Sequence, residues 1–348
     1  MSPTPSTNSL LSALRGGSFF IMLVLAVGAL ATLCSLGANA YVEIMWHTQV
    51  GYSSVFWKRV VWEWGVRIGV GIGVGSLVFL NLRVVAATLT GIQIKRRFGN
   101  LEISEQIPRS YVLMGVLGIS ALLALWFGAG VPNNLGLQAL LLSNASPWGI
   151  TDPILAHDVS FYVFWLPVLL SFLMFALILN FLVLSIVTAG YAATGAIRWG
   201  RGKFYAEDRA RFHLAILLAF FLVLMGVRFW FERYALLLNG TSGVSGILGY
   251  TDAQARIPTL QTLTVICSLS AVGVLWSAKK KLIAPLIGSL VMTGLGVVLI
   301  GQVYPGFIQR FRVEPNELES ETPYIEFNLE FTRYGFGLAE LERKSFEY

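Results

Sequence analysis

The chain has 348 residues, 55% of them hydrophobic and only 13% charged, with a formal net charge of +6. A soluble domain is roughly a quarter charged, so an ordinary soluble fold is excluded, in keeping with a mean hydropathy of +0.69. The basic balance would suit nucleic acid, but the Lys and Arg residues lie in short loops between apolar runs rather than on one patch, so no nucleic-acid partner is expected.

Seven apolar runs cover about 19–41, 68–90, 110–130, 161–190, 212–231, 258–278 and 282–303. A helix needs about 20 apolar residues to cross about 30 Å of hydrocarbon, and none of these runs alternates as a barrel strand does. Backbone groups in lipid must be satisfied within their own segment, so the runs predict helices. The expected fold is all-α: a bundle of about seven transmembrane helices with a short extracytoplasmic C-terminal helix. Three regions result: a disordered cytoplasmic N-terminus (1–17), a seven-helix domain (18–303) and an acidic helical tail (304–348).

In chain order, residues 1–17 are rich in Ser, Thr and Pro, a composition that favours disorder. The first run is long enough to span, and "ANAYVE" resembles a cleavage site only weakly, so span one is read as retained. Next, Phe56, Trp57, Val60, Val61 and Trp64 fall on one helical arc, opposite Lys58, Arg59 and Glu63. That pattern predicts a short amphipathic helix at the membrane interface, where Trp prefers to sit.

Span two opens "GVRIGVGIGVG". Its Gly69, Gly71, Gly73 and Gly75 are spaced by four on two adjacent faces, which lets helix backbones approach closely in lipid. A phosphate-binding loop needs a strand, turn and helix instead. The loop "NASPWGITDPILAHDVSFYVFWLP" then runs from Asn144 to Pro167. Pro153 sets a turn after Asp152, Asp158 is placed to cap the following helix, and Phe161, Tyr162, Phe164 and Trp165 form an aromatic belt. Asn180 is the clearest deep polar side chain of span four. Arg228 and Glu232 at the end of span five, and Asp252 and Arg256 after Tyr250, have the four-residue spacing of local ion pairs. In the tail, Thr322 is placed to cap a helix beginning at Pro323, with Ile325, Leu329 and Phe336 on one face.

Seven spans place Arg15, Arg83, Lys95, Arg96, Arg97, Arg109, Arg198, Arg201, Lys203, Arg209, Arg211, Lys279, Lys280 and Lys281 on one side. The other side holds only Lys58, Arg59, Arg67, Arg228, Arg233 and Arg256 before the tail. Basic loops stay cytoplasmic. The expectation is a bacterial inner-membrane protein with its N-terminus inside and its C-terminus outside.

The motifs "GYSSVFWKR", "DPILAHDVSFYVFWLP", "GYTDAQARIPTL" and "RVEPNELESETPYIEFNLEFTRYGFGL" resemble those of the bacterial membrane-protein family catalogued as uncharacterised protein family 0182. The resemblance runs from about Trp46 onward. It implies about seven N-terminal spans followed, in related proteins, by a large extracytoplasmic region. On that reading the chain is the N-terminal membrane half, either a short relative or a truncated product, and the acidic tail is the stem of an outer domain. The resemblance carries no catalytic residue.

The residues themselves show little chemistry. His47, His157 and His213 are not at metal-ligand spacing, Cys34 and Cys267 fall within spans, and no cofactor or metal motif is present. Asp152, Asp158 and Asp252, with Tyr162, Tyr250 and Arg256, form a candidate outer-face cluster. Transporters place charges within the bilayer to serve a purpose, whereas Arg67, Arg83 and Arg228 sit near span ends. The favoured reading is a non-catalytic anchor or accessory subunit in the lipid bilayer, presenting its outer loops and tail to a protein partner or a further C-terminal domain. A transporter or channel component and a membrane enzyme acting on lipid or envelope substrates are the alternatives.

Overall fold

A computed structural model of the chain describes residues 7–89, 93–98, 101–106, 108–200, 203–240, 246–338 and 341. Residues 1–6, Arg201 and the last seven residues of the acidic tail lie outside the described residues. Among the described residues the fold is all-α apart from two hairpins, and seven helices are long and apolar enough to cross a membrane, the number that the apolar runs require. By length and composition this is a multi-pass membrane protein.

The chain divides into two compact units, 1–64 and 65–348. In the first, α1 (Thr7–Gln49) turns sharply into α2 (Ser53–Leu89). Gly51 has φ +80°, and the Tyr52 N–H donates to the His47 carbonyl at 2.8 Å. Arg59 then pairs with Glu43 at 2.7 Å, and the Phe56 ring lies 5.3 Å from that of His47. Two expectations are corrected here. Helix α1 is described from Thr7, so residues 7–17 are helical rather than disordered. The amphipathic stretch around Trp57 is also the first part of one 37-residue helix, not a separate interfacial element, because nothing between Trp64 and Val66 breaks the hydrogen-bond ladder.

The second unit is built by pairwise contacts of successive helices. Gly71 and Gly75 of α2 face α3 (Arg109–Ala129). A methyl group added at Gly71 would lie 3.1 Å from the Ala124 carbonyl oxygen, and one at Gly75 would lie 3.0 Å from the Ala124 Cβ. Gly69 and Gly73 meet no atom within 4 Å. Of the two glycine faces, one receives a helix and the other is open.

After the short apolar helix α4 (Asn133–Ser143), which the run lengths miss, comes α5 (Leu166–Ala193). Val74, Val78, Leu82 and Val85 recur along one face of α2. They form a buried cluster with Val183, Val187 and Tyr191 of α5 and Ala210 and Leu217 of α6 (Asp208–Leu238). Ala215, Ala219 and Leu222 then join α6 to Ala271, Val274 and Ala278 of α7 (Ile257–Lys280). Small residues dominate this seam, as expected where lipid gives no hydrophobic drive and close backbone approach must hold helices together. Helix α7 meets α8 (Ile283–Leu295) through the Thr293 hydroxyl, which donates to Ser270 Oγ at 2.8 Å. Cys34 and Cys267 are both free thiols.

Two antiparallel hairpins are not legible in the sequence: β1 (Gln93–Phe98) with β2 (Leu101–Gln106), and β3 (Ile197–Gly200) with β4 (Lys203–Ala206). They connect α2 to α3 and α5 to α6, so they mark one end of the unit, the hairpin end. The turn from α7 to α8 lies there too, since the Lys281 ammonium reaches Asp208 of α6 at 2.8 Å. Lys281 itself is left-handed, with φ 60° and ψ 29°, a conformation that costs an L-residue roughly 1–2 kcal/mol and that glycine adopts freely.

The tail departs most from expectation. No turn separates α8 from the helical segments after it. Wide π-helical turns at Gly296–Val303 and Gln309–Val313 flank α9 (Tyr304–Ile308) and lead into α10 (Glu317–Gly335). The one interruption is at Asn316, with φ −138° and ψ 52°. Pro323 lies inside α10 rather than starting it, and the Thr322 hydroxyl donates back to the Leu318 carbonyl instead of capping. Glu317, Glu319 and Glu321, before Pro323, belong to the same helix, because Glu is a good helix former and suits a first turn.

Candidate functional site

At the opposite end, the loop end, the segment 144–160 folds around two carboxylates. Asp152 Oδ1 accepts from the backbone N–H of Ile154 (2.9 Å) and Leu155 (2.6 Å), the local turn that Asp makes before such a bend. Its Oδ2 accepts from the His157 N–H at 2.8 Å and from the Tyr162 hydroxyl at 2.7 Å. Ala156 is forced to φ 58° to complete this wrap.

Asp158 does what its position predicts and more. It accepts from Ser160 N–H at 2.8 Å, capping the helix that starts there. It also accepts from the N–H groups of Trp148 (3.1 Å) and Gly149 (2.7 Å). A hydrogen bond from the Ser160 side chain, followed by the backbone bonds from Trp148, Ser160 and Gly149, holds its carboxyl down to about 2. The aromatic belt enters α5 through a π turn at Phe161–Trp165, a widening often found at functional sites.

The end of α6 contributes a second layer. Arg233 is buried, 8% exposed, with its guanidinium 3.6 Å from the Trp230 ring centre and 4.7 Å from that of Tyr234. It donates to the Tyr234 hydroxyl at 2.8 Å, and that hydroxyl lies 3.0 Å from His157 Nε2. The loop and the end of α6 therefore meet through residues 77 positions apart. Arg228 pairs with Glu232 at 3.2 Å one turn earlier.

The loop after α6 returns through a π turn at Asp252–Arg256 into α7. Asp252 is fully buried and lies 3.5 Å from Arg256. The tail helix docks on this turn: Tyr250 N–H donates to Glu321 at 3.0 Å and Gln254 to the Tyr324 hydroxyl at 3.2 Å. The Thr251 hydroxyl donates to Gln309, and Arg312 stacks over Tyr250.

Between the two loops and the tail lies a groove of about 220 Å³. Ile154, Val159 and Val163 line it from the first loop and α5, Leu248 from the second loop, and Phe327 and Phe331 from the tail. Asp152, Tyr162, Tyr324 and Asn328 are its polar lining. The candidate residues are thus partly gathered. Asp152 and Tyr162 line the groove, Tyr250, Asp252 and Arg256 lie in the turn beside it, and Asp158 is spent on its own loop. The tail presents Tyr324, Phe327, Asn328 and Phe331 rather than the expected Ile325, Leu329 and Phe336, of which Phe336 is 78% exposed. Their spacing of three, four and seven is the signal in the sequence, and a helix start placed at Pro323 obscures it.

Among the described residues no three His, Cys, Asp or Glu side chains gather as metal ligands. The histidines bridge protein groups instead. His47 Nδ1 lies 2.8 Å from the Glu43 carbonyl oxygen, and His213 links the Tyr191 hydroxyl (2.9 Å) to Asn81 Oδ1 (2.9 Å) across three helices. Asn180 is buried within α5, and its Oδ1 has no hydrogen-bond partner.

Residues 20–348 match the uncharacterised protein family UPF0182. The chain belongs to that family. A UPF0182 protein of Desulforamulus reducens is 30% identical over 96% of this chain and 38% of its own length. UPF0182 proteins of Kocuria rhizophila and Streptomyces coelicolor are both 32% identical, over 98% and 91% of this chain and 34% and 32% of their own lengths. This UPF0182 chain therefore spans about a third of the length of the curated relatives it matches, which corrects the expectation of a half. No solved structure matches it.

Proposed function

We propose that this UPF0182 chain is a non-catalytic membrane module whose loop end is a docking face. The observation that carries the reading is the groove between Ile154, Val159 and Val163 on one side and Phe327 and Phe331 on the other. Its walls are apolar, and the polar groups around it are already used. Asp152 and Asp158 each accept bonds from their own loop, and Asp252 is buried beside Arg256. Carboxylates so engaged suit a rigid presenting surface better than acid–base chemistry on a lipid or envelope substrate. The occupant is a protein segment, either a separate partner or a further domain of a longer protein, which relatives about three times as long support. The Lys and Arg residues that gather in the connections of the hairpin end support an inner-membrane orientation with the N-terminus inside and this face outside.

A photo-crosslinking residue at position 327, in cells of the native host, is expected to trap one protein segment. Phe331→Arg is expected to abolish the crosslink without changing membrane insertion. Recovery of the chain alone and monodisperse, with no crosslink, would sink the proposal. A reporter fused after residue 338 that works only in the cytosol would reverse the sidedness.

One observation favours a second reading, a transporter or channel component: Asn180 places an unpartnered amide oxygen inside the bundle. An unpaired buried acceptor costs about 1–3 kcal/mol, and a passing polar substrate would satisfy it. Asn180→Leu is expected to abolish substrate uptake while leaving the fold intact. Unchanged uptake by that variant removes the transport reading.

A further inference from the structure

A second cavity lies at the hairpin end, a groove of about 730 Å³ lined by α5, the β3–β4 hairpin, α6, α7 and α8. Its depth is apolar, lined by Leu214, Leu218, Val274 and Leu286, and its mouth holds Arg211 and Lys281. The volume falls within the range of small-molecule sites. Apart from Trp199 and Ala206 of the hairpin, the lining comes from the apolar helices and the turn from α7 to α8, so lipid is the medium that meets most of it.

The mouth carries an unbalanced charge. Arg211 donates to Asp208 at 2.6 Å, and Lys281 donates to the same carboxylate at 2.8 and 3.1 Å. Two cations share one acid, which leaves one positive charge at the opening. Lys279 and Lys280, in the last turn of α7, add to it. Arg211 is also fixed in place, because its Nε donates to the Ala278 carbonyl at 3.2 Å.

Lys281 itself argues that the charge has a use. It occupies a left-handed helix end, where glycine would sit without strain. The Ser277 hydroxyl, donating to the Leu282 carbonyl, and the Leu282 N–H, donating back to the Ser277 carbonyl, hold that turn in place. A lysine kept in this conformation delivers an ammonium group to the groove's mouth that glycine cannot. Backbone strain of this kind clusters at ligand clamps.

We infer that this groove seats one anionic glycerophospholipid, its phosphodiester against Arg211 and Lys281 and one acyl chain along Leu214, Leu218, Val274 and Leu286. Basic pockets between spanning helices take such headgroups. A single phosphodiester supplies the one negative charge that the Arg211–Asp208–Lys281 group lacks. A zwitterionic lipid fills the apolar part equally well but brings its own cation to a mouth that already has an excess. Free phosphate has the charge and no chain.

The test uses the whole chain, purified and stripped of lipid, with native mass spectrometry and thermal unfolding as readouts. Phosphatidylglycerol, phosphatidylcholine and glycerol 3-phosphate are the probes. Phosphatidylglycerol is expected to bind as one retained copy and raise the unfolding temperature, while the other two do neither. Lys281→Gly relieves the strained turn and spares the Arg211 contacts, so it is expected to fold at least as well. Its preference for phosphatidylglycerol over phosphatidylcholine is expected to fall about fivefold, the worth of one basic residue near a headgroup. Arg211→Gln gives the same loss if it folds. Equal retention of both lipids, a graded series of copies with no preferred one, or an undiminished preference in Lys281→Gly overturns the inference. Stabilisation by glycerol 3-phosphate equal to that by the lipid overturns it as well.

Discussion

The Tyr162 hydroxyl donates to Asp152 Oδ2 across 2.7 Å, and that bond ties the aromatic entry of α5 to the turn ten residues before it. Both residues also line the groove at the loop end. Removing the hydroxyl leaves Asp152 its three backbone donors but takes away the one that comes from a helix. Tyr162→Phe is therefore expected to destabilise the loop by about 1.5–3 kcal/mol, the range for a hydrogen bond to a charged group. Limited proteolysis between residues 144 and 160 measures it, and an unchanged cleavage rate would deny the bond its role.

Asp158 gives the loop a dependence on acid. Its carboxyl is held down to about 2, first by Ser160 and then by the Trp148 and Gly149 backbone. A depressed carboxyl stabilises the fold above its unfolded value near 3.8, and that stabilisation fades as pH falls towards 2. Pepsin, which works across this window, is expected to spare the loop at about pH 4 and cut it increasingly near pH 2. Asp158→Asn is expected to be cut at both.

The glycines of α2 offer a paired comparison. Gly71 faces the Ala124 carbonyl across a gap that is tight even for a methyl group, while Gly73 faces open space. Gly71→Leu is expected to separate α2 from α3 and lower the unfolding temperature by several degrees, as overpacking costs typically about 1–3 kcal/mol. Gly73→Leu is expected to change it little. Equal effects of the two would mean that α2 and α3 do not meet as described.

His213 bridges Tyr191 and Asn81. Hydrogen bonds between spanning helices are worth about 0.6 kcal/mol on average and reach about 1.7. His213→Leu is expected to cost about twice the single-bond figure, since both partners lose their contact. In the Tyr191→Phe background the further loss is expected to shrink, a coupling that a double-mutant cycle on the purified protein reads directly.

Sequence discloses whatever repeats or lies close along the chain. Seven runs of sufficient length announce seven helices, and the four-residue spacing of Arg228 with Glu232 and Asp252 with Arg256 announces two ion pairs. Asp158 as a cap is likewise local. The bond from His213 to Asn81 spans 132 positions and leaves no periodic mark. Neither do the bonds from the tail to the loop after α6, because each residue alone reads as an ordinary polar surface group. The tail misleads for a different reason. Pro323 is so strong a signal for a helix start that it outweighs the helix-forming Glu residues before it, and the shifted start turns the wrong face towards the loops.

The passage from α8 to α10 contains no non-helical linker, only widened turns, a tight 3-10 turn at Glu314–Asn316 and the kink at Asn316. Phe327 and Phe331 are therefore carried on the same helical rod as the seventh apolar run, which is long enough to cross a membrane. Any lean of that rod towards or away from its neighbours must pinch or part the cleft they border.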